Sequence, residues 1–277
     1  KCGVLYADKI NAVSPNYAQE LLTHLGAHGM ASIFQQRAAD LCGILNGCDY
    51  KDWDPEFDEF LPATYSIDNM AGKQICKQSL QQEAGLAVAD LPIYGMVCRL
   101  TEQKGVPLLL PALEKFLHHQ VQVVIVGSGD PALATQLQTM ARDYPDKLAF
   151  INTYDDRLAH LVEAGADFFL MPSLFEPCGL NQMYSLAYGT LPLVRAVGGL
   201  KDTVVDWDAD PEHATGFCFN DPTAAILLDT MRRSLLYFLQ DKERFTKVQR
   251  NAMSTRFNWP DSVTQYERMY QSALGRY

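Results

Sequence analysis

Short apolar segments recur through the centre of the chain, each bounded by glycine, proline or charged residues. They are 91–100, 121–126, 148–154, 167–171, 191–194 and 216–219. Most are apolar throughout and do not alternate with polar residues, which is typical of strands whose sheet is covered on both faces. We therefore predict six buried β-strands.

Helical periodicity lies between these segments and dominates the last quarter of the chain. Helices are predicted at 132–142, 156–164, 180–188, 224–239, 242–253 and 262–274. Segment 106–118 also fits a helix, although Pro107 and Pro111 leave its start open. A strand in 7–15 precedes a helix capped by Ser14, and 68–85 is predicted to be a polar connecting helix. Strands alternating with helices predict an α/β fold with a parallel sheet.

Composition and charge exclude several classes of protein. The chain has 277 residues, is 48% apolar and carries a net charge of −10. An acidic chain without a long apolar run is not expected to bind nucleic acid or a membrane. Seven cysteines without a CxxC pair favour a reducing, cytoplasmic location. Because the sequence starts at Lys1 and not at Met, we interpret it as part of a longer protein.

In open parallel sheets, ligands bind beyond the carboxyl ends of the strands. Arg99 and Lys104 follow the first central strand, where two cations can clamp a phosphate; a solvated loop is the alternative. Glu176 lies just before a predicted helix, either to accept hydrogen bonds from sugar hydroxyls or to stabilise the helix start. Tyr154, at another strand end, either stacks on a base or packs.

Further features of the sequence are less specific. Gly198 and Gly199 form a second possible anion-binding turn before a helix. The acidic run 52–59 (DWDPEFDE) is predicted to be a solvated loop. His118 and His119 are adjacent, so they point to different faces of a helix and do not suggest a metal site.

Several longer segments together resemble one enzyme family. They are 43–49 (GILNGCD), 98–105 (CRLTEQKG), 154–160 (YDDRLAH), 171–180 (MPSLFEPCGL), 188–195 (YGTLPLVR), 197–203 (VGGLKDT) and 214–219 (ATGFCF). The chain is similar over essentially its whole length to bacterial glycogen synthases and plant starch synthases, glycosyltransferase family 5.

The resemblance implies a GT-B fold, in which two Rossmann-like domains face each other across a cleft. Residues 1–45 would be the tail of the N-terminal domain, the rest of which is missing here. Residues 46–277 would be the C-terminal nucleotide-sugar-binding domain with its terminal helices. The implied reaction is transfer of glucose from ADP-glucose to the non-reducing end of an α-1,4-glucan, with retention of configuration and without a metal or other cofactor.

The resemblance also implies roles for individual residues. Arg99 and Lys104 would hold the diphosphate and stabilise ADP as it leaves. Glu176 would hold the donor glucose and support an oxocarbenium-like transition state. The residues implied to bind substrate are Asn46 for the glucose, Tyr154 for the adenine, and the turn of Cys178, Gly179 and Leu180, whose backbone N–H groups face the phosphates.

Some positions depart from the family pattern. Leu174 stands where many relatives have a basic residue, Asn181 where many have threonine, and Tyr184 where wider retaining GT-B enzymes have a second glutamate. Two alternatives therefore stay open. The chain alone could be a nucleotide-sugar-binding module without turnover, or the donor could be another nucleotide sugar such as UDP-glucose.

Overall fold

The computed structural model describes residues 1–24 and 26–275. The strands are β1 (Ile10–Ala12), β2 (Leu41–Gly43), β3 (Ile93–Val97), β4 (Gln122–Val126), β5 (Leu148–Ile151), β6 (Phe168–Met171), β7 (Leu191–Arg195) and β8 (Phe217–Phe219). The helices are α1 (Cys2–Tyr6), α2 (Pro15–Glu20), α3 (Ala31–Gln36), α4 (Ala71–Glu83), α5 (Val106–Phe116), α6 (Pro131–Asp143), α7 (Asp156–Gly165), α8 (Asn181–Ala187), α9 (Gly198–Thr203), α10 (Ala224–Gln240), α11 (Lys242–Ser254) and α12 (Trp259–Ala273).

The six predicted strands form one parallel sheet. Its order is β5-β4-β3-β6-β7-β8, and every neighbouring pair is parallel. From β3 the chain winds outward to β5, and from β6 it winds outward in the other direction to β8. The order therefore reverses between β3 and β6, where the carboxyl ends of the strands leave room for a ligand.

Helices cover both faces of this sheet, as the uninterrupted apolar strands predict. On one face Leu113 of α5 and Met231 of α10 are buried against β4 and β6. On the other, Leu80 of α4 and Val162 of α7 are buried against Phe169 of β6. Two hydrophobic cores therefore hold the sheet between them.

Helix α5 accommodates both of its prolines. It begins at Val106, so Pro107 lies in the first turn, where no N–H needs a partner within the helix. Pro111 lies inside the helix and removes one backbone hydrogen bond. Burial of Leu109, Leu110 and Leu113 compensates for that loss.

The first 45 residues contain the small parallel pair β1-β2 and a hydrophobic cluster of their own. Ser14 caps α2 as predicted, because its Oγ accepts a hydrogen bond from the Tyr17 N–H at 2.9 Å. The last helix, α12, contacts this segment: Asn11 Nδ2 donates to the Tyr266 hydroxyl at 2.9 Å, and Ser262 Oγ donates to the Leu45 carbonyl. The division into domains at residue 45 stays a prediction.

Several local predictions need correction. Helices α1 and α3 and strand β2 were not predicted, because they are only three to six residues long. Helix α12 begins at Trp259, with Pro260 in its first turn. Among residues 1–24 and 26–275, no helix has the length and apolar character needed to span a bilayer.

Candidate active site

A cleft of about 420 Å³ opens at the carboxyl ends of β3, β4, β5 and β6. The fold brings eight of the predicted site residues to this cleft, whereas the predicted anion turn at Gly198 and Gly199, which follows β7, does not line it. The predicted site residues that line it are Asn46, Arg99, Lys104, Tyr154, Glu176, Cys178, Gly179 and Leu180. Their chemical roles stay predictions.

The loop after β3 carries the two candidate cations. A short 3-10 turn places Lys104 just before Gly105, whose φ of 72° is in the left-handed region that favours glycine. A Cβ at Gly105 would lie 2.0 Å from the Pro172 carbonyl oxygen, so only glycine lets the two loops approach this closely. The Gln103 carbonyl also accepts a hydrogen bond from the Leu174 N–H at 2.8 Å. The loops after β3 and β6 are therefore held together.

Glu176 and Lys104 form an ion pair at the junction of these loops. Lys104 Nζ donates to Glu176 Oε2 at 2.5 Å, and Ser173 Oγ donates to the same oxygen at 3.1 Å. Glu176 is 7% exposed. Arg99 is exposed and has no ion-pair partner among the residues the structure describes. The cleft thus holds one paired cation and one available cation beside a nearly buried carboxylate.

The turn at 178–180 leads into α8. Gly179 has a φ of 73°, and α8 begins two residues later. Burial raises the pKa of the Cys178 thiol, and a hydrogen bond from the Asn46 backbone offsets part of this effect. Cys178 is therefore a small buried residue and not a reactive thiolate. Its contact with Asn46 joins the segment after β2 to this turn.

The turn at Gly198 and Gly199 has another role than the predicted anion site. Gly199 N–H donates to the Glu176 carbonyl at 3.1 Å, and a Cβ at Gly198 would lie 1.9 Å from the same oxygen. Gly198 N–H donates to Glu20 Oε1 at 2.8 Å. A carboxylate of the chain itself takes the place of an anion, and the two glycines fix the backbone at Glu176.

Tyr154 lies at the mouth of the cleft. Its side chain is 82% exposed, so it does not pack in the core. The next residue, Asp155, caps α7 by accepting a hydrogen bond from the Leu158 N–H at 2.8 Å. An exposed aromatic ring beside a fixed helix start is available to stack on a ligand.

Part of the cleft wall comes from residues that sequence reasoning missed. Trp53 and Glu163 line the cleft, and the Trp53 ring lies against His160 of α7. Asp58 is 3% exposed and accepts hydrogen bonds from His160 and Tyr188. The prediction that 52–59 is a solvated loop is therefore wrong for its inner residues. The tryptophan inside this acidic run was the one signal that could have indicated burial.

The pKa values of two buried acids, Glu163 in the cleft wall and Asp58 beside His160, shift in opposite directions. Burial raises the pKa of Glu163 well above its ordinary value, although Ser185 Oγ donates to its Oε2 at 2.6 Å. Burial also acts on Asp58, but hydrogen bonds from His160, Tyr188 and the Phe60 N–H outweigh it and lower the Asp58 pKa. Within residues 1–24 and 26–275, no group of three or more His, Cys, Asp or Glu side chains could hold a metal ion.

Comparison with known proteins agrees with this geometry. Residues 78–254 match the family model for group 1 glycosyl transferases, and residues 1–36 match the starch synthase catalytic domain. The chain is 87% identical over its whole length to glycogen synthases from Aeromonas salmonicida and Aeromonas hydrophila, of which it covers 57%. It also resembles the catalytic domain of Arabidopsis thaliana starch synthase IV bound to ADP and acarbose, with 33% identity and a TM-score of 0.93. That match covers 99% of this chain and 57% of that one.

The parallel sheet, its flanking helices and the likeness to starch synthase IV define an α/β fold of the GT-B type. The match over residues 78–254 shows that the chain belongs to the family of group 1 glycosyl transferases. The fold class and the family resemblance predicted from the sequence are both confirmed. The chain spans a little over half the length of the glycogen synthases that it matches.

Proposed function

We propose that the protein containing this chain is a glycogen synthase, which transfers glucose from ADP-glucose to the non-reducing end of an α-1,4-glucan with retention of configuration. This chain supplies the donor-binding side of the catalytic cleft. The observation that carries the proposal is the grouping of Arg99, Lys104 and Glu176 beside the start of α8, in a chain 87% identical to glycogen synthases.

The cations neutralise the charge that develops on the leaving diphosphate. Lys104 is held by Glu176, so its ammonium is already oriented before the donor arrives. Arg99, exposed at the cleft, binds the diphosphate with its planar guanidinium. Backbone N–H groups at Gly179 and Leu180 add fixed dipoles. Groups that are oriented in advance stabilise a transition state without reorganising during the reaction.

Glu176 acts on the sugar. Its Oε2 accepts hydrogen bonds from Lys104 and Ser173. A carboxylate has further acceptor positions, which are available to hydroxyls of the donor glucose. Its negative charge also favours the positive charge that develops at the anomeric carbon. Asn46, in the segment between β2 and the main sheet, reaches the same sugar, and Tyr154 stacks on the adenine.

Radiolabelled ADP-glucose tests the proposal in the full-length protein. Label is expected to enter glycogen, and a protein that incorporates none contradicts the assigned activity. Competition between ADP-glucose and UDP-glucose then identifies the donor, because better competition by UDP-glucose contradicts the choice of adenine. Calorimetric titration of the 277-residue chain with ADP shows separately whether this side of the cleft binds the nucleotide alone.

We expect this chain alone to bind ADP without extending a glucan, because catalysis requires both walls of the cleft to orient the reactants. Measurable extension by the chain alone would contradict this. We also place the protein in the cytoplasm, since the seven cysteines of this chain are free thiols.

A further inference from the structure

Trp53 lies between two aromatic rings at the inner wall of the cleft. The His160 ring is stacked on it with a centroid distance of 3.6 Å and an angle of 18°. The Tyr184 ring is stacked on it at 4.2 Å and 6°. The three rings are nearly parallel, and His160 and Tyr184 do not stack on each other, so they cover opposite faces of the indole. A ligand in the cleft can therefore meet only the edge of Trp53.

The loop that carries Trp53 is fixed by polar contacts. Asp58 accepts hydrogen bonds from His160 Nδ1 at 2.8 Å, from the Tyr188 hydroxyl at 2.5 Å and from the Phe60 N–H at 2.9 Å. Asp54, next to Trp53, is paired with Arg256 at 2.9 Å. These contacts determine where the indole lies, and they do so without a ligand. A ring held in one place loses little conformational entropy when it binds.

The indole N–H of Trp53 has no hydrogen-bond acceptor among the residues that the structure describes. Its indole N–H can only donate a hydrogen bond. Among residues 1–24 and 26–275 no side chain or carbonyl accepts from it, and it is not among the buried polar atoms without a partner. The side chain lines the cleft. The free N–H therefore lies on a side chain that a ligand in the cleft can reach.

The position of Trp53 indicates which part of the donor it meets. The proposed diphosphate groups, Arg99 and Lys104, follow β3. Trp53 is stacked between His160 of α7 and Tyr184 of α8, and Ala159 and Glu163 of α7 also line the cleft. The same helix starts just after Tyr154, the proposed stacking partner of the adenine. The α7 wall is therefore the nucleoside side of the cleft.

We infer that Trp53 is a binding residue for the nucleoside half of the donor, and that its indole N–H donates to an oxygen or nitrogen acceptor of that nucleoside. The Asp58–His160–Tyr188 contacts are its positioning apparatus. This inference rests on the proposed function, because it takes ADP-glucose as the donor.

Calorimetric titration with ADP and with inorganic pyrophosphate tests the inference, using the full-length protein and its Trp53→Phe variant. Phenylalanine keeps a ring between His160 and Tyr184 but has no N–H. Loss of one hydrogen bond is expected to weaken ADP binding roughly two- to tenfold. Pyrophosphate, which has no nucleoside, is expected to bind equally well to both proteins. Trp259→Phe is the matched control, because Trp259 does not line the cleft.

The other outcomes contradict the inference in distinguishable ways. Equal weakening of ADP and pyrophosphate binding would mean that Trp53 only supports the fold of the cleft. Unchanged ADP binding would mean that its N–H meets no nucleoside. If the unsubstituted protein binds UDP and pyrophosphate but not ADP, the choice of ADP-glucose fails together with this inference. ADP binding by the unsubstituted protein, with no effect of Trp53→Phe, rejects the inference and leaves the proposed function intact.

Fluorescence provides a second measurement that a purely structural role would not change. The chain has three tryptophans, of which Trp207 is fully buried. In the full-length protein, ADP is expected to change the tryptophan emission, and this change is expected to be much smaller in Trp53→Phe. Pyrophosphate is expected to cause little change in either protein. Identical responses to the two ligands would contradict direct contact with the nucleoside.

Discussion

Two lysine–carboxylate pairs lie at opposite ends of strand β6, and their surroundings differ. Before the strand, Lys77 pairs with Asp167 at 2.8 Å, with the two side chains 6% and 12% exposed. After the strand, Lys104 pairs with Glu176 at 2.5 Å, with 20% and 9% exposed. Asp167 also accepts a hydrogen bond from the Ile93 N–H. By distance and burial alone, the two pairs are hard to tell apart.

The polar groups around each pair separate their roles. Near Asp167, Lys73 donates to the carbonyls of Ala164 and Tyr188 and to the Thr190 hydroxyl, so the chain supplies every acceptor. Near Glu176, Arg99 has no ion-pair partner within the described residues and lines the cleft of about 420 Å³. A cavity of about 250 Å³ also lies beside Lys73, Lys77 and Asp167, but both lysines there already donate to groups of the chain. A buried ion pair therefore indicates a binding site only where neighbouring polar groups are still available for a ligand.

The largest effect is expected from the Lys77–Asp167 pair. Lys77→Ala leaves the Asp167 carboxylate buried without its cation, which is expected to lower the free energy of unfolding by about 3–5 kcal/mol. Urea denaturation measures this loss. Lys247→Ala is the control, because Lys247 and its partner Glu212 are 48% and 75% exposed, and a solvent-exposed pair contributes little to stability. Equal losses in the two variants would contradict the importance of burial.

Loss of the Lys104–Glu176 pair is expected to lower the rate of the reaction more than the stability of the fold. Lys104→Ala removes a cation beside the proposed leaving group, so kcat with ADP-glucose should fall by about 10²–10³-fold in the full-length protein. The melting temperature should fall less than in Lys77→Ala, because Glu176 keeps its hydrogen bond from Ser173 and the open cleft admits water to its carboxylate. Lys115→Ala, on the exposed side of α5, controls for loss of charge. If Lys104→Ala greatly lowers stability but leaves kcat unchanged, the Lys104–Glu176 pair has a structural role like that of the Lys77–Asp167 pair.

A smaller effect is expected from Arg99, whose substitution should weaken ADP binding. Arg99→Ala is expected to weaken ADP binding by about 1.5–3 kcal/mol, the range for hydrogen bonds to charged groups. Calorimetric titration measures the change, and Arg142→Ala on α6 serves as the control. Because Arg99 has no ion pair to break within the described residues, stability should not change. Unchanged ADP affinity in both Arg99→Ala and Lys104→Ala would remove the diphosphate clamp.

The residues around Glu176 could be predicted from the sequence, whereas the buried lysines near Asp167 could not. Arg99, Lys104 and Glu176 could be found because a parallel topology brings the carboxyl ends of neighbouring strands together, wherever the exact strand boundaries lie. Segment 68–85 was predicted as a polar connector, yet Lys73 and Lys77 of α4 are buried. Helical periodicity does not show which polar side chains find acceptors on other elements.

The contacts around Trp53 were missed for a related reason. Asp58 bonds to His160 and Tyr188, which are 102 and 130 positions away in the chain. An acidic run favours solvent on average, and only the packing of α7 and α8 determines that one of its carboxylates is enclosed. Local patterns therefore predicted the side of the cleft built from strand ends, and not the side built by a long loop.

The smallest expected effect is the pH dependence of stability that arises from Lys73, which lies near the Lys77–Asp167 pair. Burial lowers its pKa from 10.5 to about 8. Between these values the unfolded chain holds the proton and the folded protein does not, so stability rises with pH across this window. Lys73→Met keeps an unbranched side chain and cannot titrate. The difference in unfolding free energy between the native protein and this variant should therefore increase from about pH 8 to 10.5, by no more than about 1.4 kcal/mol per pH unit. If this difference in unfolding free energy does not change with pH, the three oxygen acceptors keep Lys73 charged. Hydrogen bonding would then outweigh the effect of burial on the Lys73 ammonium.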